Sequence, residues 1–226
     1  MKTIKLIECP RDALQSYNAP VSTQMKIDYY QMLLKVGFHT LDCGSFVSPK
    51  VIPQMADTDE VIQSLDLITS KTKLLTIVAN LVGAEKAVKF KKISYLGYPF
   101  SVSENFQVRN TGKTINESLF ILRKIINLAA SNNKELVVYL SMGFGNPYGD
   151  PWNTSIIKKW VDNLVDLGVQ IISLSDTIGN AKIRDIESLF KDLILAYPKL
   201  EFGSHFHAYP EQWLNKINTA YLAGCR

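Results

Sequence analysis

Seven short β-type runs alternate with seven helical patterns along 226 residues, and no linker or shift of composition interrupts them. Such alternation implies a mainly parallel sheet joined by right-handed crossovers. Doubly wound open sheets and closed barrels both satisfy it, but seven βα units in unbroken succession favour the barrel. The sequence therefore predicts an α/β chain of the TIM (β/α)8-barrel type, with residues 1–226 as a single catalytic domain. A complete barrel has eight units and typically about 250 residues. This chain stops at Ala223-Gly224-Cys225-Arg226, where another strand is due. Seven units are thus expected, with the eighth missing at the C-terminus.

The elements follow in order. A first β-type run, Ile4–Cys9, gives way to Pro10-Arg11-Asp12, and a helical pattern near Ser22–Val36 closes on Gly37, as C′ glycines do. The second run, His39–Cys43, carries Asp42 and leads to Ser45; a helix is expected near Thr58–Thr69. Lys73–Ala79 ends at Asn80 before a helix near Val82–Lys89. Lys92–Gly97 is the fourth run, and the helix near Ile115–Ala130 opens with Thr114 and Glu117 spaced as a capping box. Leu136–Leu140 leads to Ser141 and a glycine-containing loop, Met142-Gly143-Phe144-Gly145-Asn146-Pro147-Tyr148-Gly149. The helix near Thr154–Leu167 is closed by Gly168. Gln170–Ser175 is followed by Asp176-Thr177 and a helix near Ile183–Ala196. The last run, Leu200–His205, ends in His205-Phe206-His207, ahead of a helix near Glu211–Leu222.

Bulk composition narrows the function classes. Hydrophobic content of 46% and charged content of 20% describe an ordinary globular protein. A formal charge of +4, from 25 basic and 21 acidic residues, is too mild and too scattered to argue for nucleic acid. It suits an anionic substrate such as an acyl-CoA. No apolar run approaches the roughly 20 residues that cross a bilayer, so no membrane partner is expected. Three cysteines, Cys9, Cys43 and Cys225, have no Cys-x-x-Cys spacing and point to reduced thiols and a cytoplasmic setting. Met1 passes directly into a strand-like run with no leader pattern.

In a barrel of this type the working face lies at the carboxyl ends of the strands. Arg11, Asp12, Asp42, Ser45, Asn80, Ser141, Asp176, His205 and His207 all fall at such ends. Singly, each has a simpler reading as a turn former or helix cap; Asp176-Thr177 in particular has the form of a cap. Their joint placement on one rim is what favours a site. His205 and His207 share one face of their strand, about 7 Å apart at strand spacing, close enough to reach one metal ion. A carboxylate from Asp12 would complete a facial set of three ligands. Two unrelated histidines would explain His-x-His equally well in isolation, but the chain has only three histidines and two lie here.

At these residues the chain resembles the 3-hydroxy-3-methylglutaryl-CoA lyases of the DRE-TIM metallolyase superfamily. Five segments carry the likeness, in family order over the whole chain. They are Pro10-Arg11-Asp12-Ala13-Leu14-Gln15, Ser45-Phe46-Val47-Ser48-Pro49-Lys50 with Pro53-Gln54-Met55-Ala56-Asp57, Gly145-Asn146-Pro147-Tyr148, Ser173 through Gly179, and His205-Phe206-His207. The Ser45–Lys50 segment is the most discriminating, because it resembles the lyases rather than the related synthases. The resemblance implies a retro-aldol cleavage of a branched 3-hydroxyacyl-CoA to acetyl-CoA and acetoacetate, a reaction of leucine degradation, in a homodimer.

By that resemblance Asp12, His205 and His207 bind Mg²⁺ or Mn²⁺, and Arg11 faces the developing enolate charge. Asp176 is the candidate base or hydroxyl-orienting group. Asp42 holds Arg11 or the metal site, while Gln15 and Ser45 contact substrate or its surroundings. The family differs in having Glu at the position of Asp42, Gly at Ala13, and Asp-Thr at Ala208-Tyr209. Its glycine-rich loop, with a cysteine acid and an Asn ligand, is expected beyond residue 226; neither Cys225 nor Cys43 is in the right place for it. Two other readings compete. One is a synthase joining acetyl-CoA to a 2-oxo acid, the other a barrel fragment that binds without turnover.

Overall fold

The computed structural model describes residues 3–226. Its strands are β1 (Ile7–Glu8), β2 (Thr40–Ser45), β3 (Lys73–Ile77), β4 (Ile93–Ser101), β5 (Glu135–Ser141), β6 (Ile171–Asp176) and β7 (Glu201–Phe206). Its helices are α1 (Pro10–Gln15), α2 (Thr23–Val36), α3 (Thr58–Ser64), α4 (Leu81–Ala87), α5 (Glu104–Thr111), α6 (Ile115–Ser131), α7 (Thr154–Asp166), α8 (Ile183–Ala196) and α9 (Trp213–Leu222). The strands form one sheet in chain order, β1 to β7. The pairs β1–β2, β2–β3, β3–β4, β5–β6 and β6–β7 are parallel. A parallel pair needs a crossover connection, and the helices supply it. No helix among the described residues is long and apolar enough to cross a membrane.

Four departures from the sequence reading have local causes. β1 is limited to Ile7–Glu8 because its ladder with β2 closes only at Ile7 opposite Thr40 and Glu8 opposite Leu41. β4 runs on past Gly97 through Pro99 to Ser101, burying Tyr98 and Phe100 on the way. α3 ends at Ser64 rather than Thr69. Beyond it the Gln31 side chain takes both the amide and the carbonyl of Asp66, each at 3.0 Å, and the Asp66 carboxylate accepts the Ile68 amide. Two helices, α1 and α5, have no counterpart in the sequence reading. α1 spans six residues, too few for a period to show, and starts on Pro10 at a position where proline is pre-organised. α5 is polar; its one buried residue is Gln107, whose amide bonds Ser101 N, Thr111 Oγ1 and Ser118 Oγ.

The chain packs as two compact units, one of residues 3–97 with 127–135 and one of 98–126 with 136–226. In the first, Leu41, Leu74 and Leu75 from the sheet meet Tyr30, Val61, Ile62 and Ala84 from the helices, all at most 1% exposed. β2 is buried at all six positions, as expected of a parallel strand covered on both faces. The Pro53-Gln54-Met55-Ala56-Asp57 segment works here as a clamp. The Gln54 amide donates to Tyr17 O and Ala19 O and accepts from Val21 N, holding the link between α1 and α2. Asp57 receives Thr23 Oγ1 at 2.7 Å and the buried ammonium of Lys26 at 2.7 Å. Lys26 also donates to Gln54 O. Two further lysines gather carbonyl oxygens: Lys92 those of Gln63 and Leu65, Lys134 those of Phe90 and Ile93.

In the second unit, Phe100, Val138, Leu140, Ile172 and Leu174 of the sheet pack with Leu122, Ile157, Val161, Leu164, Ile186, Leu189, Phe190 and Leu193 of the helices, none of them exposed. The capping box at α6 is present: Glu117 Oε2 accepts Thr114 N, and Thr114 Oγ1 accepts Glu117 N. Gly37 and Gly168 adopt left-handed φ values of 91° and 93° at helix ends, as the sequence reading expected.

Candidate active site

In the first unit the site is built around Arg11, in the first turn of α1. Its Nε reaches both oxygens of Asp42 at 3.2 and 3.0 Å, and its Nη2 lies 2.5 Å from Asp42 Oδ2. Its Nη1 donates to Asp12 Oδ1 at 2.9 Å and to Gln15 Oε1 at 3.1 Å. Position explains the set. Asp42 sits on β2 with no exposure, directly beside the start of α1, while Gln15 follows Arg11 by one helical turn. The guanidinium is planar and carries five donors, so a carboxylate fork at one edge fixes the orientation of the whole group. Asp12 falls in the first turn of α1, where the helix dipole favours an anion.

Ser45 bonds to a different set of groups. It is 2% exposed; its amide donates to Thr58 Oγ1 and its hydroxyl accepts the Val47 amide, so it shapes the turn that leads out of β2. The thiols of Cys9 and Cys43 are pushed far up by burial, with the nearby Asp42 charge adding to the effect. Cys43 donates to Leu75 O inside the core.

In the second unit, His205 is on β7 and His207 follows its end. The two rings lie 5.3 Å apart between centroids. His205 also meets the edge of Tyr139 at 5.5 Å, and Phe206, between the histidines, packs on Phe144 at 5.7 Å. The alternation of a strand thus puts the imidazoles together and the phenyl ring elsewhere. Rings this close can each direct a nitrogen to one ion at about 2.1 Å, and imidazole with carboxylate is a donor set taken by divalent metals.

The loop after β5 is tied to the end of β6. Met142 N donates to Thr177 Oγ1 at 2.8 Å and Gly143 N to Ser175 O at 3.0 Å. Met142 has φ of 57°, a left-handed conformation rare for a residue with a side chain. Asn146 folds the loop on itself, accepting the amides of Tyr148 and Asp150 and donating to Asp150 O. Asp150 then receives Ser103 Oγ and the amide and side chain of Asn105.

Asp176 ends β6 with its carboxylate wholly shut from solvent. Both oxygens accept the Ala181 amide at 3.1 Å, and Oδ2 lies 2.7 Å from Lys216 Nζ. Lys216, on α9, did not figure among the sequence candidates. A signal was there: it sits four residues before Ala220 on the buried face of α9, where an unmatched ammonium would be costly.

A sheet of seven strands in chain order, joined by helices, with Arg11-Asp12 just after the first strand and His205-Phe206-His207 at the end of the seventh, places the chain in the class of (β/α)8-type barrels. The chain belongs to the HMGL-like family, whose model matches residues 4–226. It is 31% identical to hydroxymethylglutaryl-CoA lyase YngG of Bacillus subtilis over 198 residues, covering 88% of this chain and 66% of that protein. The crystal structure of the Bacillus subtilis HMG-CoA lyase superposes with a TM-score of 0.92 at 30% identity, over 99% of this chain and 75% of that one. An HMG-CoA lyase from Acinetobacter baumannii, in complex with coenzyme A and 3-methylmalate, gives 0.90 at 26%, over 99% and 72%. The chain spans 44 to 75% of the length of its curated relatives. The fold is therefore that of the (β/α)8 barrel, with seven of its units in this chain.

Proposed function

We propose that this chain carries most of the active site of a divalent-metal-dependent acyl-CoA lyase, one that cleaves 3-hydroxy-3-methylglutaryl-CoA to acetyl-CoA and acetoacetate. The observation that carries the reading is the Arg11–Asp42 fork, which aims a permanently charged guanidinium beside the carboxylate of Asp12. Breaking the C2–C3 bond leaves a thioester enolate, so a fixed cation where that charge develops lowers the barrier without having to reorganise. Asp42 supplies the fixing, and Gln15 holds the other edge of the same group.

Asp12, His205 and His207 are the donors that suit a Mg²⁺ or Mn²⁺ ion. The chemistry such an ion supplies when bound is acidification and orientation of a substrate oxygen. The name of the Acinetobacter structure's ligand supports coenzyme A as the carrier. The free cysteines fit a reducing cytoplasmic location, and the family likeness alone carries a homodimer into the proposal. The lyase reading is preferred to the synthase one because the relatives that match carry the lyase name.

The test is product analysis on the full-length protein. Acetoacetate and acetyl-CoA formed from the thioester, and abolished by chelation, would bear the proposal out. Activity that survives full chelation, or release of free CoA from acetyl-CoA and a 2-oxo acid in its place, would sink it.

A further inference from the structure

His207 is exposed and lies past the last residue of β7, where no ladder fixes it. Its backbone is nevertheless held from two sides. Its amide donates to the main-chain oxygen of Asp176 at 3.3 Å, the same atom that accepts Gly179 N at 3.2 Å. Its carbonyl receives Lys216 Nζ at 3.5 Å, and that ammonium also reaches Gly179 O at 2.8 Å and Asp176 Oδ2 at 2.7 Å. The three protons of one ammonium therefore join a carboxylate and two carbonyls drawn from both connections, the one after β6 and the one after β7. Gly179 completes the fit: with φ of +74°, a Cβ there would lie 3.1 Å from His207 O.

A buried ion pair is a poor device for stability alone, since apolar residues of similar volume often do as well or better. No apolar side chain, however, can gather three oxygens. Metal ligands need positions held to about 0.5 Å, which their own supporting contacts provide.

We infer that Lys216 is a positioning residue for His207, acting through Asp176 and Gly179 to fix the backbone on which that imidazole stands. The inference rests on the reading of His205 and His207 as metal ligands. It also moves Asp176 from proton acceptor to anchor, because its oxygens are committed to an amide and an ammonium.

The experiment compares the full chain with Lys216→Met, Lys216→Arg and the double variant D176N/K216M. Lys216→Met leaves the Asp176 charge buried and unpaired; the double variant has no orphaned charge and still lacks the donor to His207. Two readouts are taken: the imidazole ¹⁵N resonances of His207 in ion-free protein, and Mn²⁺ affinity by titration. In the double variant the His207 resonances should shift or broaden more than those of His205, and Mn²⁺ affinity should fall about 10- to 100-fold, the usual effect of removing support from a ligand. Lys216→Arg should recover part of both, since a cavity of about 300 Å³ opens beside Lys216 and gives the longer side chain room. A folded double variant with unchanged His207 resonances and unchanged Mn²⁺ affinity would overturn the inference. Failure of the metal reading looks different: the unsubstituted chain and His207→Ala would bind Mn²⁺ equally weakly, and the His207 resonances would then decide on Lys216 alone.

Discussion

Arg11 and Asp42 meet edge to edge, with Nε 3.0 Å and Nη2 2.5 Å from a single carboxylate oxygen, in a place where Asp42 has no contact with solvent. The geometry leaves the guanidinium little freedom to follow a substrate; in the proposed reaction it must already stand where charge appears. Arg11→Met is expected to lower kcat about 100- to 1,000-fold, the range seen when one preorganised donor is removed. Mn²⁺ affinity should stay nearly the same. Steady-state kinetics beside a Mn²⁺ titration checks this, and an equal loss of metal would show Arg11 to be a support of the metal site instead.

The paired imidazoles lead to the complementary expectation. His205→Ala and His207→Ala should each weaken Mn²⁺ binding by at least about tenfold while the fold persists. Electron paramagnetic resonance of free Mn²⁺ measures the affinity, and circular dichroism checks the fold. Retention of full affinity in either variant would remove that histidine from the ligand set.

Much of this was legible in the sequence, and for a definite reason. Strands buried on both faces are written as short continuous runs, and Gly37, Gly168 and the Thr114–Glu117 pair mark helix ends by local chemistry alone. Arg11, Asp12, His205 and His207 stand out as candidates because they follow strand ends, which in a barrel are where chemistry collects. What stayed hidden depends on partners far along the chain. Lys216 takes its meaning from Asp176, 40 positions earlier, and Lys26 from Asp57, 31 positions later. Gln54 and Asp57, which entered as part of a family likeness, hold the α1–α2 link in place.

Lys26 gives a stability test separate from catalysis. Lys26→Met removes the cation from a buried pair and leaves Asp57 with Thr23 alone among its side-chain donors in this clamp. Breaking such a pair costs about 3–5 kcal/mol when both charges are buried, and the lower end applies because Asp57 keeps some exposure. Urea unfolding measures it. A change below about 1 kcal/mol, the worth of a surface pair, would show the clamp to be ornamental.

A close approach behind the Ser45–Lys50 segment invites another substitution. A Cβ on Gly83 of α4 would lie 2.5 Å from the main-chain oxygen of Phe46, which cannot move aside as a side chain would. Gly83→Ala should therefore destabilise by about 1–3 kcal/mol, the cost of overpacking, despite the better helix propensity of alanine. Thermal unfolding decides it; a stabilised variant would mean that the turn after β2 yields easily.

The loop between β5 and α7 should respond to acid. The hydrogen bond from Ser103 Oγ, with further help from Asn105, holds the Asp150 carboxyl below its ordinary value of 3.8. Its folded pKa thus lies under its unfolded one, so the stabilisation is present above pH 3.8 and lost as pH falls through the folded value. The melting temperature of the unsubstituted chain should drop more steeply than that of Asp150→Asn as pH is lowered from 5 towards 2. Parallel curves would show that Asp150 adds nothing to the acid response.

The lysines that gather carbonyl oxygens have a bearing on acylation of the protein from outside. An acylating reagent or enzyme needs an amine that is deprotonated and open to solvent. The side chains of Lys26 and Lys216 are 4% and 3% exposed, so both amines stay closed while the fold holds. Lys92 and Lys134, each bonded to two carbonyls, are only half-buried, so their amines are open to reagent without any opening of the fold. Acylation at Lys26 and Lys216 therefore runs at the pace of local opening, and peptide mapping after a timed exposure would clock the breathing of those two segments, with Lys92 and Lys134 as the fast-reacting comparison, without a label having to be introduced.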